Sequence, residues 1–321
     1  MRRRTLARGP AVTELGLGAA QFGNLYRETT DGEAQSAADA AWDAGIRYFD
    51  TAPHYGLGLS ERRLGAALAG RNRSDYVVST KVGRLLVPSP DSADRLDDDG
   101  FIVPAASRRE WDFSRDGILR SFEGSLQRLG LDRVDILYLH DPDNHWDSAS
   151  TQGIDTLIEL RDQGVVGAIG AGMNQSAMLA EFVRRCDVDI VMLAGRFTLL
   201  EQGALDDLLP LAIERNVAVV AAAVYNSGLL GSPRPDADAR YDYAYAPPEL
   251  IARANAIADV CERYGVTLPE AAIAYPLRHP AVVSVVLGMR TASQVASNVS
   301  RYDAEIPAAL WEELEGEGLI R

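Results

Sequence analysis

Four side chains able to hold or move a proton stand at, or just beyond, the ends of three apolar runs in the first half of the chain. "IRYFD" ends on Asp50, "YVVSTK" on Lys81 and "VDILYLH" on His140, and Tyr55 follows Asp50 in the stretch "YFDTAPHYG". A phenol with an ordinary pKa of about 10 is a weak acid–base group at neutral pH. A buried ammonium beside it favours the phenolate and lowers that pKa, which suits the phenol to general acid–base work. In such a cluster Asp50 holds Lys81 charged and oriented, Lys81 tunes Tyr55, and a neutral His140 hydrogen-bonds an oxygen of the substrate. A single ionisable residue at a strand end is ordinarily a surface residue. Four of them at the same end of three successive strands call for a common cause.

The elements that must position them can be read from the hydrophobic pattern. Eight short apolar runs recur along the 321 residues: "ELGLGAA", "IRYFD", "YVVSTK", "VDILYLH", "VVGAIGAG", "VDIVML", "VAVVAAAV" and "VVSVVLG". Each is continuous rather than alternating and rich in Val and Ile, as strands buried on both faces of a parallel sheet are. Helical patterns separate them. The stretch 32–45 stops at Gly45, 60–70 opens on Ser60 as an N-cap and closes on Gly70, and 114–130 runs from Ser114 to Gly130. Further helices are expected at roughly 150–164, 175–186, 203–215, 247–265 and 291–301. Eight strands alternating with about eight helices predict an α/β fold, a closed (β/α)8 TIM barrel forming one domain over 1–321. A doubly wound open sheet is the alternative, but "GLGAAQFG" does not fit its glycine fingerprint. Two connections are long, 82–113 and 225–247, and both follow the C-terminal ends of strands, where barrel active sites lie.

Composition narrows the function classes. A net charge of −14 and a pI of about 4.8 argue against non-specific binding to nucleic acid or to an anionic membrane. Cys186 and Cys261 are far apart, so they are expected as free thiols, and no histidine or cysteine pair has metal spacing, so no metal is expected. The segment "MRRRTLARGP" lacks the apolar core of a signal peptide, and no run of about 18 apolar residues is present. The expectation is a cytoplasmic protein acting on a small molecule, as a monomer or homodimer. His54 and His145 fall outside the strand-end alignment and read as loop residues, and His279, before Pro280, reads as structural.

At these residues the sequence resembles the aldo-keto reductases, and the stretch "FDTAPHYGLGLSERRLGAAL" carries the resemblance most specifically. Membership implies a barrel of aldo-keto reductase type, hydride transfer with a nicotinamide cofactor, and the tetrad roles for Asp50, Tyr55, Lys81 and His140, with Tyr55 the proton donor or acceptor. It further implies cofactor contacts. Gly172 and Asn174 in "GAGMNQ" would hold the carboxamide, and Phe197 would stack on the nicotinamide. Asn226, Ser227, Gly228 and Leu229 in "VYNSGLLGS" would wrap the pyrophosphate with backbone amides and small residues. The segment "LGMRTASQVASNV" resembles the family's adenosine-phosphate segment. Aligned on Asn298, its customary basic positions hold Gly288 and Gln294, while Arg290 remains to meet a 2′-phosphate. Fewer charge-assisted phosphate contacts make NAD the preferred cofactor, with NADP possible.

Within the family the chain resembles a subgroup of D-threo-aldose (L-fucose) 1-dehydrogenases, plant L-galactose dehydrogenases and pyridoxal 4-dehydrogenases. All oxidise a cyclic hemiacetal to a lactone. The resemblance therefore implies an aldose or pyridoxal as substrate. Trp111 and Phe113, late in the 82–113 connection, either form an apolar wall against a sugar ring or anchor the loop. Arg84 meets either a substrate hydroxyl or solvent. Two rivals stand beside this reading: an NADPH-dependent aldehyde reductase, and a nicotinamide-binding regulatory subunit of the kind that serves potassium channels.

Overall fold

In the computed structural model of the chain, which describes residues 1–236, 238–242 and 244–321, every apolar run expected as a strand forms one. β1 (Leu15–Gly18), β2 (Tyr48–Asp50), β3 (Val77–Val82), β4 (Ile136–His140), β5 (Ala168–Met173), β6 (Ile190–Ala194), β7 (Ala218–Ala222) and β8 (Val282–Gly288) pair in parallel. Each lies beside its neighbour in sequence, and β8 returns to β1 to close the barrel. The longer α-helices among the described residues are α1 (Asp31–Asp43), α2 (Leu59–Leu68), α3 (Arg115–Leu129), α4 (Ile154–Asp162), α5 (Ser176–Arg185), α6 (Leu208–Arg215), α7 (Pro248–Arg263), α8 (Leu268–Leu277), α9 (Ala292–Tyr302) and α10 (Ala308–Gly316). Among the described residues no helix is long and apolar enough to cross a membrane.

Local signals explain several helix ends. The Ser114 hydroxyl accepts from the Gly117 amide at 3.2 Å at the start of α3, and Gly130 ends it with φ 62°. Ser60 does not cap α2, against expectation. The helix begins one residue earlier, after a left-handed Gly58, and the buried Ser60 hydroxyl donates to the Ala19 carbonyl at 2.6 Å. α8 lies in a stretch whose periodicity predicts no separate helix. Leu268, Ala271, Ala272, Ile273 and Tyr275 are all buried there, so no amphipathic stripe marks it.

Alternation along each strand sorts side chains into two cores. Phe49, Val78, Leu137, Leu139 and Ile169 face the helices. Tyr48, Ile136, Tyr138, Ala168, Ile190, Met192 and Val220 fill the barrel interior. Leu6 and Val12, from an antiparallel hairpin of Arg3–Thr5 with Ala11–Thr13, belong to that interior cluster and plug its lower end. The 82–113 connection is an ordered arm: Arg84–Pro88 pairs antiparallel with Ser107–Trp111, Arg84 opposite Trp111.

Candidate active site

The same period of two that buries Tyr48, Ser79 and Tyr138 inside the barrel also turns Asp50, Lys81 and His140 inward, one layer higher at its C-terminal mouth. The lower layer is polar. Ser79 Oγ donates its one proton to Asp50 Oδ1 at 2.7 Å and lies 3.1 Å from the Tyr48 hydroxyl, and the Tyr48 and Tyr138 hydroxyls lie 3.3 Å apart. Asp50 is thus oriented from beneath by Ser79 and from above by Lys81.

Lys81 Nζ donates to three acceptors: Asp50 Oδ2 at 2.7 Å, the Thr51 carbonyl at 3.0 Å and the Tyr55 phenol oxygen at 3.1 Å. A tetrahedral ammonium has three protons, so Lys81 is saturated and fixed. Because Tyr55 accepts from Lys81, its own proton remains for another partner. Tyr55 is aimed by the residue after it. Gly56 has φ 62°, and a Cβ there would lie 2.2 Å from the Gly23 carbonyl oxygen, so only glycine lets the loop press onto the 19–23 turn.

The electrostatics depart from the sequence expectation in one respect. Burial raises the Tyr55 pKa, Lys81 lowers it, and Asp50 raises it again, leaving the phenol above its ordinary value of 10.0. The expected net lowering does not occur, because burial disfavours the phenolate and Asp50 opposes the pull of the ammonium. Burial also lowers the Lys81 pKa, but Asp50 and Tyr55 outweigh that and leave the ammonium above 10.5. His140 is driven well below 6.5 by burial and by Arg84 and Lys81, so its ring is neutral at physiological pH. Its Nδ1 has no hydrogen-bond partner among the described residues, and its ring meets Tyr55 edge-on at 5.9 Å.

Several residues at the mouth escaped the sequence reading. His54 is no ordinary loop residue: its ring lies 5.6 Å from His140 and 5.3 Å from Phe101, and burial with Arg84 and Arg109 pushes its pKa down to about 2. Arg109 grips Asp97 through two bonds and donates to the His54 carbonyl at 2.9 Å, tying the arm down over the site. Asp141 forms an ion pair with Arg84. Usable signals existed for some of these. His54 lies inside the quoted motif, Asp141 directly follows His140, and Ser79 and Tyr138 lie two residues before tetrad members and so share their face.

The arm's candidates separate. Trp111 is 42% exposed at the rim, with the Arg84 guanidinium 4.2 Å above its ring. Phe113 is 2% exposed and joins the main core, where a Cβ on Gly83 would strike its ring at 2.2 Å. Phe113 therefore anchors the arm and forms no wall. His145 packs on both rings, at 5.1 and 5.6 Å. Arg84 meets Asp141 rather than solvent.

The cofactor candidates divide likewise. Gly172 lies opposite His140 in the ladder, and a Cβ there would sit 3.8 Å from Lys81 Cε; Asn174 is exposed just beyond the strand. Phe197 does not face the mouth. The chain turns outward at Gly195 (φ 69°), and Phe197, 3% exposed, packs against Tyr275 at 5.4 Å. The amides expected to wrap a pyrophosphate at 226–229 are mostly engaged within the turn. The amides of Asn226, Gly228 and Leu229 already donate to the carbonyls of Ala223, Tyr225 and Asn226, and the Leu229 side chain is buried in the core. Ser227 is exposed, and buried Asn226 Oδ1 has no partner among the described residues.

At the end of β8 the side chain of Gln21 occupies the place a Cβ on Gly288 would take, 2.2 Å away. Gln294 Oε1 accepts from the Arg290 amide at 2.7 Å, and Asn298 Oδ1 accepts from Tyr225 OH at 2.8 Å. Arg290 turns inward toward the 25–29 loop. Its guanidinium is buried and donates to the carbonyls of Leu25 at 2.6 Å and Arg27 at 2.8 Å and to Thr29 Oγ1 at 2.6 Å. It clamps the 25–29 loop, which in turn bridges to the arm through Leu25 and Phe101.

A family model described as the aldo/keto reductase family matches residues 14–316. A D-threo-aldose 1-dehydrogenase from a Pseudomonas species is 50% identical over 98% of this chain and 96% of its own length. A pyridoxal 4-dehydrogenase from Microbacterium luteolum is 40% identical over 99% and 98%. Among solved structures, an aldo-keto reductase from Bacillus halodurans superposes with a TM-score of 0.76 at 26% identity, covering 100% of this chain and 97% of that one.

Proposed function

Since the chain belongs to the aldo/keto reductase family of nicotinamide-dependent oxidoreductases, we propose that it oxidises the anomeric hydroxyl of an aldose such as L-fucose or L-galactose to the lactone, with NAD as preferred cofactor. The observation that carries this reading is the 50% identity, over nearly all of both chains, to a protein named for that activity.

The nicotinamide supplies the acceptor for the hydride that leaves the anomeric carbon. This chain's residues handle the proton and the geometry. His140, neutral and buried, hydrogen-bonds the anomeric oxygen and holds it against Tyr55. Tyr55, as phenolate, takes the hydroxyl proton, and Lys81 stabilises that phenolate through the 3.1 Å contact. Asp50 keeps Lys81 charged. The proton ends on Tyr55, the hydride's electron pair leaves the carbon, and the C–O bond becomes the lactone carbonyl. Gly172, opposite His140 and without a side chain to intrude, and Asn174, exposed just beyond the same strand, are the residues that would hold the carboxamide.

Support for NAD comes from charge placement. Of the three positions expected near an adenosine 2′-phosphate, Gly288 and Gln294 carry no charge and Arg290 is turned inward, donating to the 25–29 loop. A neutral ribose hydroxyl suits those surroundings better than a phosphate dianion. Arg290→Ala is therefore expected to lower kcat/KM with NAD and NADP together, through the loosened loop, with their ratio held within about threefold. A selective loss with NADP of about tenfold or more would show Arg290 to be a phosphate ligand after all.

The reading as a whole is tested by NADH and NADPH formation with L-fucose, L-galactose, D-arabinose and pyridoxal in parallel. Fast NADH formation with the aldoses is expected. Oxidation of pyridoxal alone would reassign the substrate, and aldehyde-dependent NADPH consumption without sugar oxidation would reverse the direction.

A further inference from the structure

The mouth holds a second charged pair, beyond the groups that move the proton. Arg84 opens the arm and Asp141 follows His140 at the end of β4; the two are 57 residues apart and form an ion pair at the lip. The Arg84 guanidinium is largely buried, and its Nε has no hydrogen-bond partner among the described residues. Burial lowers the Arg84 pKa even against the pull of Asp141, and raises that of Asp141 even against Arg84. Asp141 holds φ 42°, a conformation that costs a non-glycine residue energy and is often found at functional sites. Its amide donates to the Gly172 carbonyl at 3.0 Å, which fixes the backbone there. The carboxylate is thereby aimed back at the tetrad, with Oδ2 3.6 Å from His140 Nε2.

That distance decides what the pair can reach. His140 Nε2 and Tyr55 OH define the position of the reacting hydroxyl. A carboxylate oxygen 3.6 Å from the first of these lies within reach of the reacting hydroxyl and of the oxygens next to it, and the proton of the reacting hydroxyl is already committed to Tyr55. In a cyclic hemiacetal the anomeric carbon has two such neighbours, the ring oxygen and the C2 hydroxyl. A carboxylate only accepts hydrogen bonds, and the ring oxygen has no proton to give, so Asp141 must take the C2 hydroxyl. Arg84 only donates, so it serves the lone pairs of that same hydroxyl.

We propose that Arg84 and Asp141 form the subsite for the hydroxyl on the carbon next to the reacting one, so that the enzyme selects aldoses with an intact C2 hydroxyl over 2-deoxy sugars. This rests on the aldose reading above and names the feature of the aldose that is recognised. A substrate without that hydroxyl leaves the pair with an unmet hydrogen bond in a half-buried site, a loss that polar sites discriminate against strongly.

The test measures kcat/KM for NADH formation with L-fucose and with 2-deoxy-L-fucose, on the unmodified protein, on Asp141→Asn and on Arg84→Lys. The unmodified enzyme is expected to favour L-fucose by roughly 10- to 100-fold, the range of a hydrogen bond to a charged group. In Asp141→Asn, where asparagine tolerates the left-handed backbone, that preference should fall to within about threefold of unity. Arg84→Lys keeps the charge but not the planar fork, and should reduce the preference part of the way. A preference near unity in the unmodified enzyme, or one unchanged in both variants while aldoses still turn over, overturns the subsite alone. Silence of the unmodified enzyme with every aldose overturns the aldose reading, and the subsite with it.

Discussion

Tyr55→Phe is expected to lower kcat for aldose oxidation by about 10²–10⁴, the usual worth of a positioned general base. The substitution removes one oxygen, 3.1 Å from Lys81 Nζ, and keeps the ring that packs near Phe101 at 6.2 Å and His140 at 5.9 Å. Cofactor affinity should therefore stay unchanged, and a fluorescence titration with NADH separates the two effects. The same residue sets the pH profile. Burial holds the Tyr55 pKa above 10.0 even with Lys81 beside it. The base must be deprotonated, so below that pKa its active fraction rises about tenfold per pH unit. Oxidation should climb steadily from pH 7 to 9 in the unmodified enzyme, and Tyr55→Phe should erase that slope. A plateau already reached near pH 7, or turnover indifferent to the substitution, would remove Tyr55 from the role of base.

The second large effect concerns the buried pair beneath it. Lys81 and Asp50 are 2.7 Å apart with side chains only 3% and 4% exposed. Lys81→Met should lower the stability to urea by about 3–5 kcal/mol, because it strands a carboxylate inside the barrel. It should also abolish oxidation, since nothing then stabilises the Tyr55 phenolate. The double substitution Asp50→Leu with Lys81→Met separates these consequences. Replacing both partners by apolar groups of similar volume is often neutral, so most of the lost stability should return while activity stays absent. If the double variant were as unstable as the single, the cost would lie in packing and not in the unpaired charge. If Lys81→Met kept its activity, the proposed tuning of Tyr55 would fail.

The fold and the inward placing of Asp50, Lys81 and His140 were legible in the sequence for a common reason. A strand buried on both faces must be apolar throughout, so an ionisable residue at its last position stands out, and the period of two then assigns it to the barrel interior with no knowledge of its neighbours. Asp50, Lys81 and His140 follow from that rule alone, and the capping of α3 by Ser114 and Gly130 follows from equally local chemistry. Ser60 misled because its hydroxyl donates to the Ala19 carbonyl, from a different segment, and the helix starts one residue before it.

What sequence by itself determined about this protein is therefore whatever depends on local period and on residue type at a strand end: eight strands, their order, and the groups that face the mouth. Only the tertiary structure decided where the long side chains on the loops go. Arg290 reaches a loop more than 260 residues away, Phe197 turns out to meet α8, and Arg84 crosses to Asp141 beside His140. A guanidinium has several donors on a flexible stem, and the acceptors it finds are set by which backbones the closed barrel brings near. No local pattern encodes that choice, because it depends on contacts between segments far apart in the chain.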